Sequence, residues 1–159
     1  MRLVRSGVAA VGCALALAAC GLNSSPAQGL RFAPPPGWQS SPGIMGFMQF
    51  WRTPDDREVL ILFKSPRAIT PNDVLSNYRM KDTLQGMQIE ERRAIEICGN
   101  QPATYVRGRG RSVRRGDQDV EFVLTTVRGT GYFALYARPI GATPNSAAEA
   151  ALREICPKS

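Results

Sequence analysis

The apolar positions of this chain fall into short runs, and their spacing predicts more strands than helices. Phe47 to Trp51 and Val59 to Phe63 are rich in aromatic and branched side chains. Thr53-Pro54-Asp55-Asp56-Arg57 lies between them and carries turn chemistry, so the pair reads as a hairpin. Leu60-Ile61-Leu62 does not alternate, and a strand of that kind is expected to be covered on both faces. Ile89 to Ile97, Ala103 to Val113, Val120 to Val127 and Tyr132 to Arg138 also read as strands. Arg114-Arg115-Gly116-Asp117 and Gly129-Thr130-Gly131 supply turns between them. Two segments have helical spacing instead. Thr70-Pro71-Asn72-Asp73 opens the first with a capping residue, a proline and an acid, and Val74, Leu75, Tyr78 and Leu84 form its stripe, with Gly86 as a stop. Thr143-Pro144 opens the second, whose apolar side is Ala148, Ala151, Leu152 and Ile155; Cys156 lies at its end and Pro157 prevents continuation.

Strands joined by tight turns are antiparallel, and amphipathic helices need a sheet to cover. The expected fold is therefore α+β, an antiparallel sheet of about six strands with two helices packed on it, in a single domain over residues 31–159. Pro34-Pro35-Pro36-Gly37-Trp38 precedes the strands as a stiff lead-in, with Trp38 as a core anchor.

Ahead of that domain the pattern changes. Arg2 and Arg5 precede an apolar run from Gly7 to Ala19, which is shorter than the roughly 20 residues of a membrane span. A charged start, a short apolar stretch and small residues at its end are the parts of a secretory signal. Leu17-Ala18-Ala19-Cys20 closes the run and resembles the lipobox of bacterial lipoproteins. That resemblance implies removal of residues 1–19 and a diacylglycerol on the Cys20 sulfur, making the membrane a partner through the lipid. Gly21 rather than aspartate follows, which places such lipoproteins in the bacterial cell envelope and, in cells that have an outer membrane and sort lipoproteins this way, favours its periplasmic leaflet. Residues 20–30 are small and polar and are expected to form a flexible tether.

The four cysteines then sort themselves. Cys13 leaves with the leader and Cys20 takes the lipid. Cys98 and Cys156 remain in an oxidising compartment and are expected to form a disulfide. A zinc site is not expected, because the chain has no Cys-x-x-Cys and no histidine. The formal charge of +7 drops by two when Arg2 and Arg5 leave, and a basic domain at a bacterial surface meets anionic lipids and polymers. Neither a cofactor nor nucleic acid is expected as a partner.

Phe32, Pro36-Gly37-Trp38, Cys98-Gly99 followed by Pro102-Ala103, and Tyr132 near the last strand give the mature part a recognisable pattern. In these residues and in element order from about Phe32 to Cys156, it resembles the PsbP/DcrB-like group of exported and lipoprotein domains. The resemblance implies an accessory or assembly role at membranes with no shared catalytic site. Metal binding through histidine, found in some photosynthetic members, does not carry over to a chain without histidine.

The absence of histidine also removes a serine–histidine triad and a histidine general base. Glu90 and Glu91 are adjacent on a strand and are expected to face opposite ways, while Asp55 and Asp56 belong to a solvated turn. Gly108-Arg109-Gly110 lacks the third glycine of a dinucleotide fingerprint, and Arg115-Gly116-Asp117 in a basic turn reads as coincidence with an adhesion tripeptide. One candidate site survives. Arg107, Arg109 and Arg111 alternate on a strand and project from one face, Arg114 and Arg115 extend them into the turn, and Arg92 and Arg93 adjoin from the neighbouring strand. Guanidinium groups suit phosphate and carboxylate. The expected function is a non-enzymatic, membrane-anchored binding or assembly module. An anionic-ligand binder for lipopolysaccharide or acidic polymer, and an enzyme using only Asp, Glu, Tyr and Arg, are the alternatives.

Overall fold

A computed structural model describes residues 25–42, 46–76 and 85–158. The hairpin forms where the turn chemistry places it: β2 (Met48–Arg52) pairs antiparallel with β3 (Val59–Ser65), with Trp51 opposite Leu60. Thr53 Oγ1 accepts the Glu58 N–H and Asp55 Oδ1 accepts the Arg57 N–H, so the turn's own side chains satisfy its backbone. A short strand, β1 (Gln39–Pro42), pairs with the outer side of β2. It is the strand that the expected count of about six leaves out.

The second half is a meander of long strands, β4 (Gln85–Ile97), β5 (Gln101–Ser112), β6 (Gly116–Val127) and β7 (Thr130–Pro139). β7 closes onto β3, giving one antiparallel seven-stranded sheet in the order β1-β2-β3-β7-β6-β5-β4. Helix α1 (Pro71–Ser76) is capped by Thr70, whose Oγ1 accepts the Asp73 N–H while Asp73 Oδ2 accepts the Thr70 N–H. Tyr78 and Leu84 of the expected helical stripe lie outside the described residues. Gly86 is not a helix stop: it lies within β4, at φ +60°. Helix α2 (Ser146–Leu152) starts at an Asn145 cap, whose side chain accepts the Ala147 and Ala148 N–H groups, and Ile155 and Cys156 follow its end in buried positions.

Both sheet faces are covered, as the unbroken Leu60-Ile61-Leu62 run requires. Leu60, Leu62, Tyr105, Val123, Ala134 and Tyr136 pack beneath Ala148, Ala151 and Leu152 of α2 and beneath Leu30 and Phe32. Ile61, Val106, Val120, Phe122, Phe133 and Leu135 pack on the other side, with Val74 of α1. Full burial of side chains of this size contributes about 1.5–3 kcal/mol each. The aromatic lead-in belongs to the first core: Phe32 meets Trp51 at 5.1 Å between ring centroids and Trp38 meets Tyr136 at 6.2 Å.

The packed part of the chain begins earlier than Arg31. Pro26 and Leu30 are buried, Ser25 Oγ donates to Gln49 Oε1, and Leu30 forms a β-bridge with Pro157. The Arg31 N–H donates to the Cys156 carbonyl and the Lys158 N–H to that of Gly29. Apolar contact and backbone pairing thus hold residues 25–30, half of the expected tether, on the domain.

Candidate functional site

The tight turn at residues 113–115 sets the register of β5 on β6, and that register decides the character of the arginine face. Arg107 lies opposite Glu121, Arg109 opposite Asp119 and Arg111 opposite Asp117. Cross-strand partners share a face, so the arginines meet a parallel acidic row. Arg109 Nε is 3.4 Å from Asp119 Oδ1, and Arg111 Nε is 3.9 Å from Asp117 Oδ1. From the other side, Glu90 reaches Arg109 at 3.1 Å and Arg107 at 3.9 Å. The face is a ladder of matched charges. Arg111 keeps the most freedom, with 74% of its side chain exposed.

Glu90 joins this ladder because of an irregularity in β4. The register slips between Ile89 and Glu91, so Glu91 lies opposite Arg107 and Glu90 turns to the same side. The expectation that the two glutamates face opposite ways fails for that reason. Gly108 makes the bulge possible: a Cβ there would lie 2.2 Å from the Gln88 carbonyl oxygen. The backbone of β4 fills the space that Gly108 leaves open. Arg93, opposite Tyr105, sits 4.8 Å over the Tyr105 ring and pairs with Glu91 at 2.8 Å. Arg92 lies opposite Val106 and so does not join the arginine face.

Arg115 leaves the strip altogether. Its guanidinium crosses to the β2–β3 turn, donating to the Asp56 carbonyl at 2.7 Å and to Asp56 Oδ1 at 2.8 Å, and only 12% of the side chain remains exposed. This bond, with the charges of Arg115, Arg52 and Arg114, holds the Asp56 carboxyl below its ordinary range. Arg114 is exposed in the same turn. Arg115 and Asp117 of the adhesion-like tripeptide are therefore both engaged inside the domain.

The ladder ends in a buried cluster for which the strip alone offers no sign. Glu121 Oε1 accepts from Arg138 Nη1 at 2.7 Å, and Glu121 Oε2 accepts from the Tyr105 hydroxyl at 2.8 Å. Arg138 lies 5.4 Å over the Tyr136 ring and donates to the Ala142 carbonyl. The Tyr136 hydroxyl donates to Glu58 Oε2 and accepts the Asn145 N–H, and Asp119 Oδ2 accepts the Gly141 N–H. The cluster thereby fixes the 139–145 loop that starts α2. Burial, then the bond to Glu121, pushes the Tyr105 phenol well above its usual range. The Tyr136 phenol is pushed up chiefly by burial. Both phenols are protonated donors at neutral pH. Burial disfavours charge on Arg138, but the bond to Glu121 and its charge outweigh this and raise the guanidinium above its ordinary value.

Between this cluster and α2 lies an open pocket of about 370 Å³, lined by Tyr105, Glu121, Val123, Glu149, Leu152 and Arg153. Cys98 and Cys156 form a disulfide that ties the β4–β5 turn to the segment after α2. Among the described residues no group of three or more Cys, Asp or Glu could hold a metal ion.

No family model matches the chain, and no curated protein matches it. Among solved structures it is similar to the solution structure of cyanobacterial PsbP (CyanoP) from Synechocystis sp. PCC 6803, at 18% identity and a TM-score of 0.47, over 77% of this chain and 84% of that one.

Proposed function

We propose that this chain is a lipoprotein of the bacterial cell envelope, held through lipid on Cys20 at the periplasmic leaflet of an outer membrane, whose domain is a non-enzymatic binding or assembly module. The observation that carries the reading is the Cys98–Cys156 disulfide, which suits a chain that folds outside the reducing cytosol, beyond a leader that ends in Leu17-Ala18-Ala19 just before Cys20. The charged groups of the arginine face hold one another and the 139–145 loop, which supports a structural use of that face over catalysis. The PsbP/DcrB-like reading of the domain rests on the sequence pattern; Phe32 and Trp38 of that pattern serve as core anchors. Labelling with a fatty acid tests the anchor: label on the parent and none on the Cys20→Ala variant supports it, and label persisting on the variant overturns it. Co-purification from membranes with the lipid intact identifies the partner.

The anionic-ligand reading retains one specific support, the exposure of Arg111 and Arg114 at the far end of the ladder. It expects salt-sensitive binding to lipopolysaccharide that weakens when Arg107, Arg109 and Arg111 are all changed to Gln. Unchanged binding by that variant overturns it.

A further inference from the structure

The sheet has two unlike ends, and the leader side of the chain leaves from one of them. The β2–β3 turn, the β5–β6 turn and the 139–145 loop share the end where Arg111 and Arg115 are matched by Asp117 and Asp56. The other end carries Phe47, Lys64, Arg67 and the β6–β7 turn with Arg128. The Lys64 N–H donates to the Phe47 carbonyl, Lys64 lies opposite Tyr132, and the Gly131 N–H donates to the Arg67 carbonyl. Phe47 is 47% exposed, and Arg67 and Arg128 are exposed. Lys64 and Arg128 make no ion pair among the described residues, and Arg67 shares its field with Asp73.

Ser25 is fastened to this second end through Gln49, two residues along β2 from Phe47. Cys20 lies five residues before Ser25 in the sequence. Five residues reach at most about 18 Å even when fully extended. A lipid on Cys20 therefore holds Ser25 within about that distance of the bilayer, and Gln49 ties Ser25 to this end of the sheet.

We propose that the end formed by Phe47, Lys64, Arg67 and Arg128 is a docking surface for an anionic lipid bilayer, so that the anchored domain stands with the charge ladder pointing away from the membrane. The inference rests on lipid attachment at Cys20, as proposed above. The chemistry fits: cations are attracted to anionic headgroups, and an exposed aromatic ring suits the boundary between headgroups and acyl chains.

The test uses the full chain purified from membranes, with the intact mass reporting acylation of Cys20. The protein is reconstituted in vesicles of phosphatidylcholine with or without phosphatidylglycerol, each carrying a lipid with a photoactivatable headgroup, and labelled positions are mapped by mass spectrometry. Label should concentrate on peptides containing Phe47, Lys64 and Arg128. It should fall by more than about fivefold in Lys64→Gln/Arg128→Gln protein or without phosphatidylglycerol. Acylated Cys20 with label spread evenly, or concentrated at Arg111 to Arg114, overturns the docking surface and leaves the anchor standing. An unmodified Cys20 removes the anchor and overturns both. An unchanged melting temperature for the double variant shows that lost label reflects lost contact.

Discussion

Arg138 Nη1 lies 2.7 Å from Glu121 Oε1, with the two side chains only 5% and 8% exposed. The pair joins two neighbouring strands at the place where a sheet face passes from an apolar core to a charged ladder. Breaking such a pair from one side strands a buried charge, which costs about 3–5 kcal/mol. Arg138→Ala should be destabilised by that amount in urea unfolding. The Glu121→Leu/Arg138→Met double variant should recover most of it, because neither charge is left alone. A double variant no more stable than the single would show that the Tyr105 and Ala142 contacts, rather than the charges, dominate.

Within the ladder, position decides value. Arg109 pairs with Glu90 and Asp119, and the Asp119 side chain is only 11% exposed; among the described residues Arg111 has one ion pair, to Asp117, which is 67% exposed. Arg109→Gln should therefore cost about 1 kcal/mol and Arg111→Gln close to nothing, since exposed pairs contribute about 0–1 kcal/mol. Thermal unfolding at low salt measures the difference. Equal losses would mean that cross-strand register does not control these pairs.

The Cys98–Cys156 link closes a loop of 58 residues. In the chain-entropy account this contributes about 4 kcal/mol. Peptide mapping without reductant should recover the two cysteines joined, and Cys156→Ser should lower stability by about 2–5 kcal/mol. Freely alkylated thiols in protein exported by its native route would contradict the link.

Asp56 supplies a pH signature. Its carboxyl is held below the ordinary 3.8 chiefly by the bond from Arg115, so the stabilisation is present above that value and is lost as pH falls through the lower folded value. The pair is half exposed on the Asp56 side, so it contributes below about 1 kcal/mol. Melting temperatures of the parent and Asp56→Asn should differ at pH 6, and the difference should shrink as the pH falls below 3.8. A constant difference across that range would show that the carboxylate charge is not involved.

The strands were readable because most of them bury alternating or continuous apolar side chains, and such runs leave a mark in the sequence. β1 leaves none. Gln39-Ser40-Ser41-Pro42 is held by backbone pairing to β2, and polar edge residues carry no periodic signal. The arginine row was equally readable, and its neutralisation was within reach. Asp117, Asp119 and Glu121 repeat the same two-residue spacing across a short turn, so hairpin register alone pairs them with Arg111, Arg109 and Arg107. The bond from Arg115 to Asp56 was not legible. It joins two turns 59 residues apart, and only the arrival of β7 between β3 and β6 brings them to one end of the sheet.

Leu30 pairs with Pro157, and their neighbours exchange backbone hydrogen bonds, so a residue ahead of the first strand closes on one beyond the last described helix. A chain built this way cannot close that contact until the strands and helices lying between the two residues have been made. For a domain proposed to be exported to the cell envelope, this delays closure of the fold until the segment after α2 has arrived.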